Sequence, residues 1–252
     1  MAFKVSVALA AGLMRHAGIA AAGACAIAAL PAAAQSPALN EKAAGALAGV
    51  WIPDRSPEKL LAADGKEAPL KPEARALYRK RIAMKQRGDT SFDRTTWCAA
   101  PGMPRIMAMP YPFEIKPDRS LIAFIYGWYR WHRVVDMSGR PVDPILPITM
   151  GFPTGSWAGD TLVIRTVGVT SDTILDAAGM PHSEDMTLTE RLRVLPDGRL
   201  EDRLTIEDPE TFTKPWTAVM TFRRAAPSSV VSDDVCPDRI RYGQPAVRKA
   251  AL

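Results

Sequence analysis

The sequence predicts a mainly β protein: a single antiparallel β-barrel or strongly curved sheet with one N-terminal helix. Short segments rich in β-branched and aromatic residues recur between positions 112 and 223, and turn signals such as Pro-Asp-Gly separate them. Gly-rich phosphate loops, Walker motifs and Gly-x-Ser-x-Gly motifs do not occur in the sequence. The predicted strands are 112–116, 121–127, 129–136, 161–168, 186–194, 200–207 and 216–223.

The segment 186–207 predicts a hairpin in detail. In 186–194 the even positions are apolar except for Glu190, and the odd positions are Thr or Arg. Side chains alternate between the two faces of a strand, so the even positions should face the core. The turn Pro196-Asp197-Gly198 suits a three-residue loop, because Gly can adopt the left-handed third position. This register pairs Val194 with Leu200, Leu192 with Asp202, Glu190 with Leu204, Leu188 with Ile206, Arg193 with Glu201 and Thr189 with Thr205.

The same register turns two carboxylates, Glu190 and Asp202, toward the core. Carboxylates are rarely buried without a partner. Two interpretations remain open. Either an internal Arg pairs with them for structural reasons, or a carboxylate with a raised pKa contacts a ligand or transfers a proton.

Residues 1–34 have the pattern of a secretory signal. The basic segment Met14-Arg15-His16 precedes an apolar run over 17–30, and cleavage after Ala34 fits the small residues there. The run is too short for a comfortable membrane span. We therefore expect a periplasmic or secreted protein without stable membrane insertion. Removing this segment lowers the net charge from +5 to +3, since it carries Lys4 and Arg15 but no acid, and so mild an excess indicates no nucleic-acid partner.

The mature chain divides into four segments. Residues 35–71 contain the first strand near Trp51, residues 72–88 form a helix, residues 89–227 form the barrel and residues 228–252 form a C-terminal tail. Pro suits the first helical position and Gly the residue after the end. In this helix Leu77, Tyr78 and Ile82 are expected to share a buried face. Only two cysteines remain after cleavage, Cys98 and Cys236, and an even pair in an exported protein predicts one disulfide.

Histidine and aromatic residues supply the other candidates for a site. His182 lies in the polar loop 170–185 before the Glu190 strand, and histidine is the commonest general base. The alternative is that His182 only bonds within its loop. Alternation places Tyr126, Trp128, Arg130 and His132 on one face, which either lines a pocket or lies outside.

These patterns define a predicted site without a cofactor or metal ion. Its predicted catalytic residues are His182 and Glu190, and its predicted binding residues are Trp128, Arg130, His132, Trp157, Asp176, Arg191 and Asp202. His182 beside acidic residues lacks the second close His that is typical of a metal site. Adjacent Ser and His residues cannot easily form a nucleophilic triad.

Several motifs resemble those of a widespread family of exported bacterial proteins, and the resemblance covers residues 47–240. The motifs are Cys-Ala-Ala-Pro-Gly-Met-Pro-Arg at 98–105, Pro-Tyr-Pro-Phe-Glu-Ile at 110–115, Gly-Ser-Trp-Ala-Gly-Asp-Thr-Leu-Val at 155–163, Gly-Met-Pro-His-Ser-Glu at 179–184 and Asp208-Pro209 through Trp216. Separately, Gly49-Val50-Trp51 resembles the first-strand signature of lipocalin-like (calycin-like) barrels. The alternative for Gly49-Val50-Trp51 is an ordinary strand with one buried Trp. These resemblances imply a fold and a compartment, and no activity.

Two departures from that family pattern concern the ligand. Ala158 stands where the family usually has Glu, and residues 126–140 are richer in aromatics. The expected partner is a small hydrophobic or aromatic molecule. Two functions remain open: cofactor-independent acid–base chemistry of the lyase, isomerase, cyclase or hydratase type, and non-catalytic carriage of a ligand.

Overall fold

Nine strands form a closed barrel in the computed structural model, which describes residues 40–142 and 146–248. The predicted signal segment, 1–34, lies outside the described residues. The strands are β1 Gly49–Pro53, β2 Phe113–Pro117, β3 Leu121–Tyr126, β4 His132–Asp136, β5 Phe152–Ala158, β6 Thr161–Val167, β7 Thr187–Val194, β8 Leu200–Glu207 and β9 Trp216–Arg224. The predicted mainly β barrel is confirmed.

Sequential strands pair with each other, and β1 closes the barrel against β9. Every pairing of neighbouring strands is antiparallel except that of β4 with β5. These two strands run parallel and meet at a single pair, Asp136 with Thr154. The antiparallel barrel that the sequence predicts thus contains one parallel pairing, at this seam. The long connection from β4 to β5 brings the chain back to start β5 in the same direction as β4.

The hairpin of β7 and β8 has the predicted register at every pair, from Thr187 with Glu207 to Val194 with Leu200. Gly198 adopts φ +83°, so the left-handed turn position is also confirmed. Glu190 and Asp202 consequently lie inside the barrel, and each residue is 0% exposed.

Strand β5 was not predicted from the sequence, because it contains Pro153 and Gly155, which are both unfavourable in strands. Packing explains the glycine. A Cβ atom at position 155 would lie 2.8 Å from Val135 Cγ1 and closer still to Met137, so a side chain there would push β5 away from β4.

Among the described residues, three α-helices pack outside the strands: α1 Glu41–Leu47, α2 Pro72–Gln86 and α3 Cys236–Arg241. Helix α2 packs against the loop between β6 and β7, where Lys85 Nζ donates to the Ala177 carbonyl (2.7 Å). Tyr78 is buried in α2, but Leu77 is 40% exposed, so the predicted shared face is wrong for Leu77. The face of α2 that packs against the core instead carries Ala74, Tyr78 and Ile82, which recur every four residues as on one side of a helix.

The first and last parts of the described chain are both tied to the barrel. At the N-terminal side, the Arg224 guanidinium lies 4.1 Å from the Trp51 ring centroid, and the Trp51 indole donates to the Leu47 carbonyl at the end of α1. At the C-terminal side, the disulfide between Cys98 and Cys236 is present, as predicted.

Candidate functional site

The barrel interior contains a charged cluster of Arg133, Glu190 and Asp202, which we call the interior cluster. Arg133 Nη1 on β4 donates to Glu190 Oε2 on β7 at 2.5 Å, and both side chains are 0% exposed. The Arg133 guanidinium also lies 4.5 Å from the Phe124 ring centroid, a cation–π contact. The internal Arg that one interpretation required is therefore present.

Several polar atoms of the interior cluster have no partner among the described residues. They are Arg133 Nε and Nη2, Glu190 Oε1 and both Asp202 carboxyl oxygens. A buried polar atom left unpaired costs roughly 1–3 kcal/mol. The cluster is therefore a costly feature of the core, held by one strong ion pair.

Electrostatics set the protonation of the interior cluster. Burial raises the pKa of Asp202 well above its ordinary value, and the nearby Glu190 charge raises it further, while Arg133 opposes both. Burial disfavours the charge on Arg133, but the neighbouring Glu190 carboxylate favours it, and the net effect raises the Arg133 pKa. Protonation of Asp202 beside the Arg133–Glu190 pair would leave the cluster with no net charge.

The face of 126–132 departs from simple alternation. Tyr126 and Trp128 are buried, but Arg130 and His132 are exposed, so the prediction that all four share one face is wrong. Tyr129 and Arg130 adopt left-handed φ values of 51° and 47° in the turn before β4. The turn reverses which positions face inward, so that odd positions of β4 enter the barrel.

His182 is buried and bonded within its own loop. Its Nδ1 atom lies 2.8 Å from the Ser183 carbonyl oxygen, and its Nε2 atom lies 2.7 Å from Thr173 Oγ1. Burial lowers the pKa of His182, against the raising effects of the Ser183 bond and Asp208. In the neutral ring Nδ1–H donates to Ser183 and Nε2 accepts from Thr173. Both ring nitrogens thus hold the loop, and among described residues His182 makes no hydrogen bond to Glu190.

Asp176 connects three parts of the chain. Its Oδ2 atom accepts from the Tyr78 hydroxyl (2.7 Å) and from the Leu60 amide (3.0 Å). Its Oδ1 atom accepts from the amides of Ala178 and Met180. These four bonds fix α2 and the N-terminal segment to the loop that Asp176 belongs to.

The remaining predicted residues lie apart from the interior cluster. Arg191 is exposed on the outer face of β7, and Trp128 is buried with its indole donating to the Ala246 carbonyl. Trp157 packs partly buried against the core. Arg133 was not predicted as a site residue because the candidate face held the even positions, and Arg133 is at an odd one. The left-handed turn at Tyr129 and Arg130 places the odd positions of β4 inside the barrel.

A cavity of about 190 Å³ lies between α2 and the segment that precedes it; we call it the α2 cavity. Most of its wall is apolar, and the chief wall residues are Leu60, Ala68, Leu70, Tyr78, Ile82 and Met180. Burial and the Asp176 charge raise the pKa of Tyr78, whose hydroxyl is held by Asp176. Tyr78 therefore offers the cavity a neutral ring and no acid or base.

Within the described ranges, no three His, Cys, Asp or Glu side chains are grouped so that they could hold a metal ion. No helix in the same part of the chain has the length and apolar character needed to cross a membrane.

Comparison of the chain with models of protein families finds no match, and comparison with curated proteins finds none either. The class that can be stated is therefore structural: a closed nine-stranded barrel with an ionised pair in its core.

Proposed function

We propose that this protein is an exported barrel that binds a small hydrophobic or aromatic molecule in the α2 cavity. The observation that carries the proposal is the cavity itself, which has about 190 Å³ of space within largely apolar walls. An apolar cavity of about 150 Å³ in another protein stays dry and binds benzene. The α2 cavity is thus large enough for a small molecule with one aromatic ring.

The anchoring of the cavity walls supports a binding role. Asp176 holds the Tyr78 wall and the Leu60 wall in place through two hydrogen bonds, so the space is formed before any ligand arrives. Preformed walls reduce the ordering cost of binding. Export is supported by the disulfide, since such bonds persist in oxidising compartments.

Amide chemical-shift mapping with benzyl alcohol, a neutral one-ring probe, tests the proposal. Shifts should concentrate in 59–70 and 75–82. Ala68→Leu fills the cavity from a buried wall position and should abolish them, whereas Ala226→Leu, at an exposed position outside the cavity, should not. If Ala68→Leu is poorly folded, Ile82→Phe fills the opposite wall. Shifts that are absent, or that survive both fillings, would contradict the assignment.

Acid–base catalysis is the second candidate, and the interior cluster favours it. An Asp202 with a raised pKa, beside a carboxylate paired with Arg133, is an arrangement that enzymes use for proton transfer. A molecule that co-purifies with the protein should then change chemically on incubation, as followed by mass spectrometry. Glu190→Gln and His182→Ala variants that fold and keep full turnover would remove these residues from any reaction, and an unaltered ligand favours the carrier.

A further inference from the structure

We propose that the ligand of the α2 cavity is a one-ring anion, such as an aromatic carboxylate, whose charged group binds Arg79 and Arg75. This inference rests on the proposed function. It adds the charge of the ligand and the residues that recognise it.

The rim of the α2 cavity carries more positive than negative charge. Its lining includes the cations Lys59, Arg75 and Arg79 but one carboxylate, Glu67. Glu67 lies 3.6 Å from Arg75 Nη1 and 4.0 Å from Lys59 Nζ. A single acid cannot neutralise three cations, so the rim attracts an anion and repels a cation.

Arg79 is the rim cation best placed to receive an anionic group. Within the described part of the chain it forms no ion pair, while Arg75 is partly engaged by Glu67 and by the Leu70 carbonyl (3.2 Å). Positions 75 and 79 are four residues apart on α2, so the two guanidinium groups project from the same helical face. Arginine presents a planar fork of donors that matches a carboxylate.

Carboxylates near the α2 cavity do not neutralise the excess positive charge at its rim. Asp176 does not line the cavity, and its two oxygens already accept four hydrogen bonds. Glu58 also lies outside the cavity lining and pairs with Lys85 at 3.1 Å. Glu67 is the one lining acid, and it competes with the ligand for Arg75.

Three probes of the same size and different charge test the inference: benzoate, benzyl alcohol and benzylammonium, each at pH 7. Affinities come from amide-shift titrations of residues 59–82. Benzoate should bind about tenfold more tightly than benzyl alcohol, the effect of one hydrogen-bonded charge pair, and benzylammonium should bind most weakly. Added salt should weaken benzoate binding and leave benzyl alcohol binding unchanged.

Matched variants test whether Arg79 is the residue that recognises the charge of the ligand. Arg79→Gln should weaken benzoate about tenfold with no effect on benzyl alcohol, whereas Lys80→Gln, an equal loss of charge at a neighbouring residue outside the cavity, should change neither. Glu67→Gln should tighten benzoate binding, because it removes the competing carboxylate.

The outcomes separate the two proposals. If benzyl alcohol binds at the cavity as tightly as benzoate, or if Arg79→Gln and Lys80→Gln behave alike, the charge inference is overturned and the binding function stands. If no probe shifts residues 59–82, both are overturned. Should Arg79→Gln fold poorly, the salt dependence of the wild-type protein decides the point.

Discussion

Arg133 and Glu190 form an ion pair across the barrel interior, from β4 to β7, with an Nη1–Oε2 distance of 2.5 Å and no exposure of either side chain. An ion pair on the surface contributes little to the free energy of unfolding. Loss of one partner from a buried pair is costly, because it leaves an uncompensated charge in the core. The two strands that carry the pair lie in different parts of the chain, so the pair also couples distant segments.

The first prediction concerns this pair. Glu190→Gln should destabilise the protein by about 3–5 kcal/mol, because Arg133 is left buried without its counter-ion. Glu201→Gln removes a carboxylate of the same hairpin that pairs with Arg193 on the outer face, and should cost less than about 1 kcal/mol. Urea unfolding of both variants measures the difference, and equal losses would contradict a special role for the interior pair.

The second prediction concerns Asp202 and pH. Its folded-state pKa is raised above the unfolded value of 3.8, so the folded protein keeps a proton that the unfolded chain releases. The free energy of unfolding therefore has its full contribution from Asp202 below about pH 4. That contribution is lost as the pH rises toward the folded-state pKa, at up to about 1.4 kcal/mol per pH unit. Asp202→Asn should remove this loss.

The comparison of wild-type protein and Asp202→Asn isolates that effect. His182 acts in the opposite direction, since its lowered pKa makes stability fall as the pH drops below about 6.5. Both proteins retain His182, so its contribution cancels in the difference of their unfolding free energies. A difference that stays constant from pH 4 to pH 8 would show that Asp202 does not hold the proton.

The third prediction concerns the disulfide. Cys98 and Cys236 are 138 residues apart, and the chain-entropy model assigns a loop of that length roughly 4–5 kcal/mol, with strain lowering the value. Cys98→Ser should lower the melting temperature and speed amide exchange in 235–248, while the amides of β7 and β8 stay protected. A thiol assay on unreduced, denatured protein provides the check, and two titratable thiols would refute the bond.

The fourth prediction concerns Asp176. Asp176→Asn replaces an oxygen that accepts from Tyr78 and Leu60, or from Ala178 and Met180, by an NH₂ group that cannot accept. The expected loss is about 1–3 kcal/mol, together with loss of benzyl alcohol binding, since Asp176 positions the cavity walls. Asp172→Asn, in the same loop but with a 62% exposed side chain, is the control and should leave binding intact.

Local patterns determined much of the barrel. Alternation in 186–194 and the Pro196-Asp197-Gly198 turn were enough to predict every pair of β7 with β8, because period and turn geometry act over a few residues. The buried positions of Glu190 and Asp202 followed from that register. The cysteine pair was predictable for a different reason, since only two cysteines follow the predicted signal segment and two allow one connectivity.

Only the tertiary structure decided what surrounds those buried carboxylates. Arg133 lies 57 residues from Glu190, and its inward direction depends on a left-handed turn at Tyr129 and Arg130 that no alternation pattern indicates. Strand β5 was hidden because close packing against β4 requires the glycine at position 155, which sequence patterns treat as a break. The α2 cavity exists because Asp176 joins Tyr78 to Leu60, and such long-range hydrogen bonds form only once the chain has folded.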